Sequence, residues 1–151
     1  MIKMEIQKIP EDAELVIFDY CNTLLVCPNG NPMLRDKAFG LIARLRLKRK
    51  KSAISSTSLL KDILDCPEFL QILPFISGVY GEEHTFEEEG RKYKDLGLIC
   101  EELKVGPEKS VLIGDNYNDI DRMSAERFKI PLIIVPDGSS APDYDLLSLI
   151  N

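Results

Sequence analysis

The sequence contains no tryptophan, only one histidine and no long uninterrupted apolar run. A membrane-spanning helix needs roughly 18 or more such residues in a row, and the first twelve residues lack the apolar segment typical of a secretory signal. The cysteines form no C-x-x-C pair; they are Cys21, Cys27, Cys66 and Cys100. We therefore expect reduced thiols, no membrane association and a cytoplasmic location.

An excess of positive charge is also lacking, since 19 Lys and Arg stand against 25 Asp and Glu, for a net charge of −6. This balance disfavours non-specific binding of the whole surface to nucleic acid or to anionic membranes. The one basic cluster, residues 44–51, is interpreted as a solvated helix end, with a patch that steers an anionic substrate as the alternative. With 151 residues, 44% of them hydrophobic, the chain can bury a core, and we predict a single domain over residues 1–151.

Short apolar segments alternate with longer amphipathic ones along the chain. Strands are predicted at 15–19, 52–56, 75–80, 110–115 and 131–136. Helices are predicted at 33–48, 57–66, 92–104 and 118–127, with a short one at 142–150. The acidic segment 81–90 is expected to be a solvated loop. Nearly continuous apolar strands separated by helices indicate a three-layer, Rossmann-like α/β fold with a central parallel sheet.

Polar residues stand where three of these strands end. Asp19 ends the first strand, Ser55 or Ser56 ends the second, and Asp115 ends the strand at 110–115. A buried strand has no packing reason to finish in a carboxylate or a hydroxyl. Because the carboxyl ends of parallel strands meet at one edge of the sheet, where ligands bind in open α/β folds, these residues predict a functional site.

Four short motifs follow one another along the chain: D-Y-C-N-T from Asp19, S-S-T from Ser55, a lysine in K-Y-K-D-L, and G-D-N-Y-N-D from Gly114. This ordered set resembles the haloacid dehalogenase (HAD) superfamily of phosphohydrolases, over roughly residues 15–135. The resemblance is to the small members without a cap domain, because the intervals between the motifs are filled by the predicted strands and helices. It implies a HAD-like fold and Mg²⁺-dependent hydrolysis of phosphate esters.

The resemblance gives each motif a role in phosphoryl transfer, which needs a nucleophile and neutralisation of the phosphoryl charge. Asp19 is expected to be the nucleophile that forms an aspartyl-phosphate. Ser55 matches the hydroxyl that binds a phosphoryl oxygen, although Ser56 fits equally well with a shift of one residue. Lys94, chosen over Lys92, is expected to contact both the phosphate and the nucleophile as a positive charge.

The same comparison predicts a magnesium site. Asp115 and Asp119 are spaced to face one cation from a loop that leads into a helix, and carboxylates with water suit Mg²⁺. Asp119 could instead be favoured at the helix start by the helix dipole. The resemblance adds Asp19 and the backbone carbonyl of Cys21 as further ligands.

Cys21 is the departure from the family pattern. Phosphatases of this family resemble one another in carrying a second Asp at this position, where it protonates the leaving group and then activates water. General acid–base catalysis of this kind is typically worth about 10²–10⁴ in rate. A thiol beside carboxylates is a poor base, and without cationic neighbours it is also a poor nucleophile. We therefore expect slow turnover, a substrate with a good leaving group, or phosphate binding without turnover.

Two functions follow from these observations. The first is a Mg²⁺-dependent phosphatase-like hydrolase that acts through Asp19, and the second is a non-catalytic phosphate- or partner-binding protein of the same fold. By resemblance, capless members have open sites, so we expect a phosphorylated small molecule or macromolecule as substrate. A second copy or a partner chain could cover the site, and the turn-rich segment 26–32 could form a small flap beside it.

Overall fold

The computed structural model describes residues 4–151. The strands are β1 (Leu15–Phe18), β2 (Leu25–Val26), β3 (Met33–Leu34), β4 (Lys51–Ser55), β5 (Gly78–Tyr80), β6 (Thr85–Glu88), β7 (Arg91–Lys94), β8 (Ser110–Gly114) and β9 (Leu132–Ile134). The helices are α1 (Ala38–Leu47), α2 (Leu60–Leu64), α3 (Leu96–Leu103) and α4 (Ile120–Phe128). All five strands predicted from the sequence are present, within three residues of the expected bounds.

Five strands form a parallel sheet in the order β5-β4-β1-β8-β9. β1 is central, pairing with β4 on one side and β8 on the other, and all four of its residues are fully buried. Such complete burial is typical of strands that are covered on both faces of a parallel sheet. The predicted α/β fold is confirmed.

The two faces of the sheet bury separate apolar clusters. Val16 and Phe18 of β1 point into the cluster that contains the buried side of α1, whereas Leu15 and Ile17 point into the cluster that contains Leu96 and Ile99 of α3. Successive side chains of a strand alternate between the two faces, so one short strand contributes to both layers. Within residues 4–151, no folded cap domain is inserted between these elements.

Two predicted helices begin later than expected because hairpin strands precede them. Residues 33–34 form β3, which pairs antiparallel with β2. The segment 26–32 therefore belongs to a small hairpin, and α1 begins only at Ala38. Residues 91–94 form β7, which pairs antiparallel with β6, and α3 begins at Leu96. Stacking of Phe86 on Tyr93 across this second hairpin, with ring centroids 5.3 Å apart, stabilises strands in a segment expected to be a solvated loop.

Two lysines of the basic cluster at 44–51 donate hydrogen bonds to backbone carbonyl groups. Lys50 Nζ donates to the carbonyl oxygens of Glu11 at 2.7 Å and Ala13 at 2.6 Å, and Lys51 Nζ donates to that of Leu103 at 2.7 Å. These two ammonium groups therefore join neighbouring segments, whereas Arg44 and Arg49 are exposed.

In the described part of the chain, no helix is both long enough and apolar enough to cross a membrane.

Candidate active site

The residues predicted from the strand ends meet at the carboxyl edge of the sheet. Asp19 follows β1 directly, Asp115 follows β8, Ser56 follows β4, and Lys94 is the last residue of β7. The hairpin formed by β6 and β7 brings Lys94 to this edge, although β7 is not a strand of the main sheet. A cleft of about 190 Å³ opens here, lined by Asp19, Cys21, Asn22, Ser56, Thr57, Ser58, Asp115 and Tyr117.

The Asp19 carboxylate is held by two donors. Thr23 Oγ1 donates to Oδ2 at 3.0 Å, and Lys94 Nζ donates to Oδ1 at 2.9 Å. The backbone N–H of Asp19 continues the sheet by donating to the Ile113 carbonyl at 2.8 Å. The carboxylate is therefore fixed in position at the floor of the cleft, as a nucleophile for in-line attack requires.

Lys94 is almost completely buried, with only 2% of the side chain exposed. Its Nζ atom lies 2.9 Å from Asp19 and 2.7 Å from Oδ1 of Asp121. Burial by itself would lower the pKa of this ammonium, but the two carboxylates outweigh the burial and raise the pKa above its ordinary value. Lys94 is therefore a permanently charged group within the site.

Asp121 takes the position that the sequence motif predicted for Asp119. The Asp119 side chain is exposed and interacts with Asn116 Nδ2 at 3.0 Å and Arg122 Nε at 3.3 Å. Asp121 is buried, and its Oδ2 accepts from the Asn116 backbone N–H at 3.0 Å. The difference arises because Asn118 and Asp119 both adopt left-handed backbone conformations, which delay the start of α4 until Ile120.

Helical spacing is the sequence feature that marks Asp121 as a residue of a buried helix face. Asp121, Ser124 and Ala125 are the buried residues of α4, and positions separated by three and four residues share one face of a helix. Ser124 is also part of the site, because its Oγ accepts from the Lys94 backbone N–H at 2.9 Å. Thr23, the second donor to Asp19, was missed as well, since its role depends on the turn that follows β1.

Three carboxylates form a cluster that fits a divalent cation. Oxygen atoms of Asp19, Asp115 and Asp121 all lie within 4.8 Å of one another, and Asp115 Oδ1 is buried with no hydrogen-bond partner in the described part of the chain. Burial and the neighbouring Asp19 carboxylate raise the pKa of Asp115 to about 7. One ammonium cannot neutralise three carboxylates, so the residues present fit a hard cation that takes oxygen ligands.

Of the two serines left open by the sequence, Ser56 lines the cleft and its Oγ accepts from the Ser58 backbone N–H at 3.1 Å. Ser55 is buried at the end of β4, and its Oγ has no hydrogen-bond partner among the described residues. Consecutive residues of a strand point in opposite directions, so only one of the two can face the cleft. Ser56 therefore lines the cleft, and Ser55 does not.

Cys21 lies at the mouth of the cleft, with its Sγ atom 3.7 Å from Ser58 Oγ. Partial burial of the thiol and the Asp19 carboxylate raise its pKa, against the opposing effect of Ser58. A thiol with a raised pKa stays protonated at neutral pH and cannot act as a strong base or nucleophile.

No protein-family model matches this chain, and no curated protein matches it. Several solved structures share its fold at low sequence identity. A haloacid dehalogenase-like hydrolase from Streptococcus pneumoniae is 16% identical, with a TM-score of 0.67 and 91% of each chain covered. CbbY from Rhodobacter sphaeroides, solved as a mutant in complex with xylulose-(1,5)bisphosphate, is 14% identical, with a TM-score of 0.67, 82% of this chain covered and 86% of that chain.

A third similar structure is the N-terminal part of a Bacteroides fragilis protein, containing a phosphatase domain complexed with Mg. It is 16% identical, with a TM-score of 0.66, and the match covers 92% of this chain and 40% of that one. These likenesses show that the chain has the fold of the haloacid dehalogenase-like hydrolases. The fold expected from the four sequence motifs is thereby confirmed.

Proposed function

We propose that this protein is a Mg²⁺-dependent phosphatase-like hydrolase that acts through an aspartyl-phosphate on Asp19. The observation that carries the proposal is the buried arrangement in which Asp19 is held by Thr23 and Lys94 beside the carboxylates of Asp115 and Asp121. The similar structure that contains a phosphatase domain with Mg supports both the activity and the metal.

Each residue contributes a definite step. The Asp19 carboxylate attacks phosphorus while the ester P–O bond breaks, so that the leaving oxygen departs with the bonding electrons and takes a proton from water. Water then attacks the aspartyl-phosphate, which releases inorganic phosphate and restores the carboxylate. Lys94 balances the negative charge that develops on the phosphoryl oxygens, and Ser56, which lines the cleft, binds one of these oxygens.

Asp19, Asp115 and Asp121 would hold Mg²⁺ together with the Cys21 carbonyl predicted from the sequence. Bound there, the cation would screen the repulsion between the carboxylate nucleophile and an anionic phosphate. Cys21 supplies neither a strong acid nor a strong base, so protons are exchanged with solvent. We therefore expect this hydrolase to be fastest with leaving groups of low pKa, such as aryl alcohols.

The test is hydrolysis of an aryl phosphate by the purified protein with Mg²⁺. Activity should appear with Mg²⁺, disappear in Asp19→Asn, and persist in Asp36→Asn, a matched change of an exposed Asp. Mass spectrometry of rapidly acid-quenched protein should show one added phosphoryl group on Asp19. Activity that survives Asp19→Asn would show that Asp19 is not the nucleophile.

Cys21 favours a second candidate, a phosphate-binding protein of the same fold that does not turn over. This candidate predicts that the wild-type protein binds inorganic phosphate with Mg²⁺ and hydrolyses neither aryl nor alkyl phosphates. If the acid missing at Cys21 is the reason for the lack of turnover, Cys21→Asp should gain hydrolysis; a Cys21→Asp protein that stays inactive with Mg²⁺ bound would show that the missing acid is not the reason. Calorimetric titration with phosphate, beside the hydrolysis assay, distinguishes the two candidates.

A further inference from the structure

A second pocket adjoins the candidate active site. We call it the hairpin pocket; it lies between the β6–β7 hairpin and the start of α4, and its walls include Thr57, Arg91, Lys92, Tyr117, Ile120 and Met123. Its volume is about 470 Å³, against about 190 Å³ for the cleft at Asp19. Thr57 and Tyr117 line both spaces, so the hairpin pocket lies next to the cleft.

The two spaces have opposite charge. The cleft contains the carboxylates of Asp19 and Asp115, whereas Arg91 and Lys92 line the hairpin pocket and no carboxylate does so among the described residues. A ligand with two anionic groups would find a cation-binding acidic centre at one end and two cationic side chains at the other. This separation of charge gives such a ligand a single orientation.

The cations of the hairpin pocket are available to a ligand. Arg91 is exposed and makes no ion pair within residues 4–151. Among the described residues, Lys92 forms an ion pair with Glu82 alone, at 3.4 Å and with both side chains partly exposed. Partly exposed ion pairs of this kind contribute little free energy, so an anionic ligand can replace Glu82. A guanidinium also binds a phosphate or carboxylate through two parallel hydrogen bonds.

The rest of the pocket suits a carbon framework. Ile120 and Met123 supply apolar contact, and the Tyr117 ring, 70% exposed, lies where the pocket meets the cleft. An exposed aromatic ring with a polar tip offers large contact area at low entropic cost. Together these groups match an organic framework that joins one anionic group to another.

We propose that the hairpin pocket binds the leaving group of the substrate, and that this leaving group carries a second phosphate or a carboxylate held by Arg91 and Lys92. The inference rests on the proposed function, since it places the reacting phosphoryl group at Asp19. It narrows the substrate to small organic phosphates with two anionic groups.

The test measures binding and not turnover. Asp19→Asn protein with saturating Mg²⁺ is titrated calorimetrically with two pairs of probes: fructose bisphosphate against fructose monophosphate, and phosphoglycerate against glycerol phosphate. The member with the second anion should bind about tenfold more tightly in at least one pair, as charge-assisted hydrogen bonds predict. The pair that shows the preference identifies the second group as phosphate or carboxylate.

The variant Arg91→Gln/Lys92→Gln, made in the same Asp19→Asn background, should remove this preference and leave the affinity for the singly charged partner within about twofold. Arg44→Gln, which removes an exposed cation outside the pocket, should keep the preference. Circular dichroism checks folding, and the single change Arg91→Gln provides a second variant. Equal binding within both pairs, a preference that survives the double change, or no binding of any probe at millimolar concentration overturns the inference.

These outcomes are independent of catalysis. If the wild-type protein hydrolyses no phosphate ester but the binding preference appears and depends on Arg91 and Lys92, the pocket assignment stands and the proposed function fails. If aryl phosphate is hydrolysed but the preference is absent, the proposed function stands and the pocket assignment fails.

Discussion

The Nζ atom of Lys94 lies 2.7 Å from Oδ1 of Asp121, and both side chains are almost completely buried. This pair directs the lysine toward Asp19, which it also contacts at 2.9 Å. Removing one partner of a buried ion pair leaves an uncompensated charge and is strongly destabilising. Asp121 therefore determines both the position of Lys94 and the charge of the site.

We predict that Asp121→Asn lowers kcat/KM for an aryl phosphate at least about tenfold, because Lys94 loses one of its two carboxylates and the metal loses a ligand. The free energy of unfolding should fall by less than the roughly 3–5 kcal/mol typical of a buried charge left without a partner, because Lys94 keeps its ion pair with Asp19. Asp119→Asn, a matched change two residues earlier, should alter either quantity little, since Asp119 is exposed. Kinetics and urea unfolding measure both effects, and a larger loss in Asp119→Asn would contradict the assignment.

Cys21→Asp should raise kcat for alkyl phosphates, because it introduces a carboxyl group that can protonate the leaving oxygen and activate water. The gain should approach about 10²-fold, the lower end of the usual range for general acid–base catalysis. Cys27→Asp, a change of another exposed cysteine on the neighbouring hairpin, should have no effect. An equal response of the two variants, or none in Cys21→Asp, would show that the missing acid does not limit the rate.

The raised pKa of Asp115 predicts an unusual pH dependence of stability without metal. Its pKa is about 7 in the folded protein and about 3.9 in an unfolded chain. The folded state therefore binds the proton more tightly, and the free energy of unfolding falls as pH rises from about 4 to about 7. In urea unfolding with a chelator, the free energy of unfolding of the wild-type protein should fall between about pH 5 and about pH 7.5. This fall should be smaller by about 1 kcal/mol in Asp115→Asn.

Added Mg²⁺ should stabilise the protein, and it should do so more at about pH 7.5 than at about pH 5.5, because protons compete with the metal for Asp115. At a concentration of 100 times Kd the expected gain is about 2.7 kcal/mol. The gain should be absent in Asp115→Asn and retained in Asp119→Asn. Thermal unfolding with and without Mg²⁺ measures it, and a pH-independent gain would place the bound metal elsewhere.

Arg35 is a buried cation outside the cluster of Asp19, Asp115 and Asp121. Its guanidinium donates to the carbonyls of Asn22 and Thr23, in the loop that follows Asp19, and to that of Ala141 at 2.8 Å. Arg35→Met should lower the free energy of unfolding by about 2 kcal/mol, because the charged hydrogen bonds to these carbonyls are lost, although those of Asn22 and Ala141 keep backbone N–H donors from Gly138 and Tyr144. Arg44→Met, an exposed arginine, should change it by less than about 0.5 kcal/mol in the same urea titration.

The sequence predicted the residues of the site that stand next to buried strands. Asp19 and Asp115 each follow an apolar run, and the carboxyl ends of parallel strands meet whatever the details of the loops. Lys94 was identified by resemblance alone, because the strand that carries it was hidden in a segment predicted as loop and helix. The sequence of β6, the acidic partner of this strand, shows no clear alternation of apolar and polar residues. Only the stacking of Phe86 on Tyr93 indicates that the two segments pair.

The parallel sheet, and the edge at which the polar residues at its strand ends meet, follow from the sequence alone. These features depend on apolar runs and on residue identity, which are local. Folding is what brings Asp121 rather than Asp119 into the carboxylate cluster, Ser56 rather than Ser55 into the lining of the cleft, and Arg91 into the hairpin pocket. Those choices depend on backbone angles in short loops and on side-chain direction, because a shift of one residue turns a strand side chain to the opposite face.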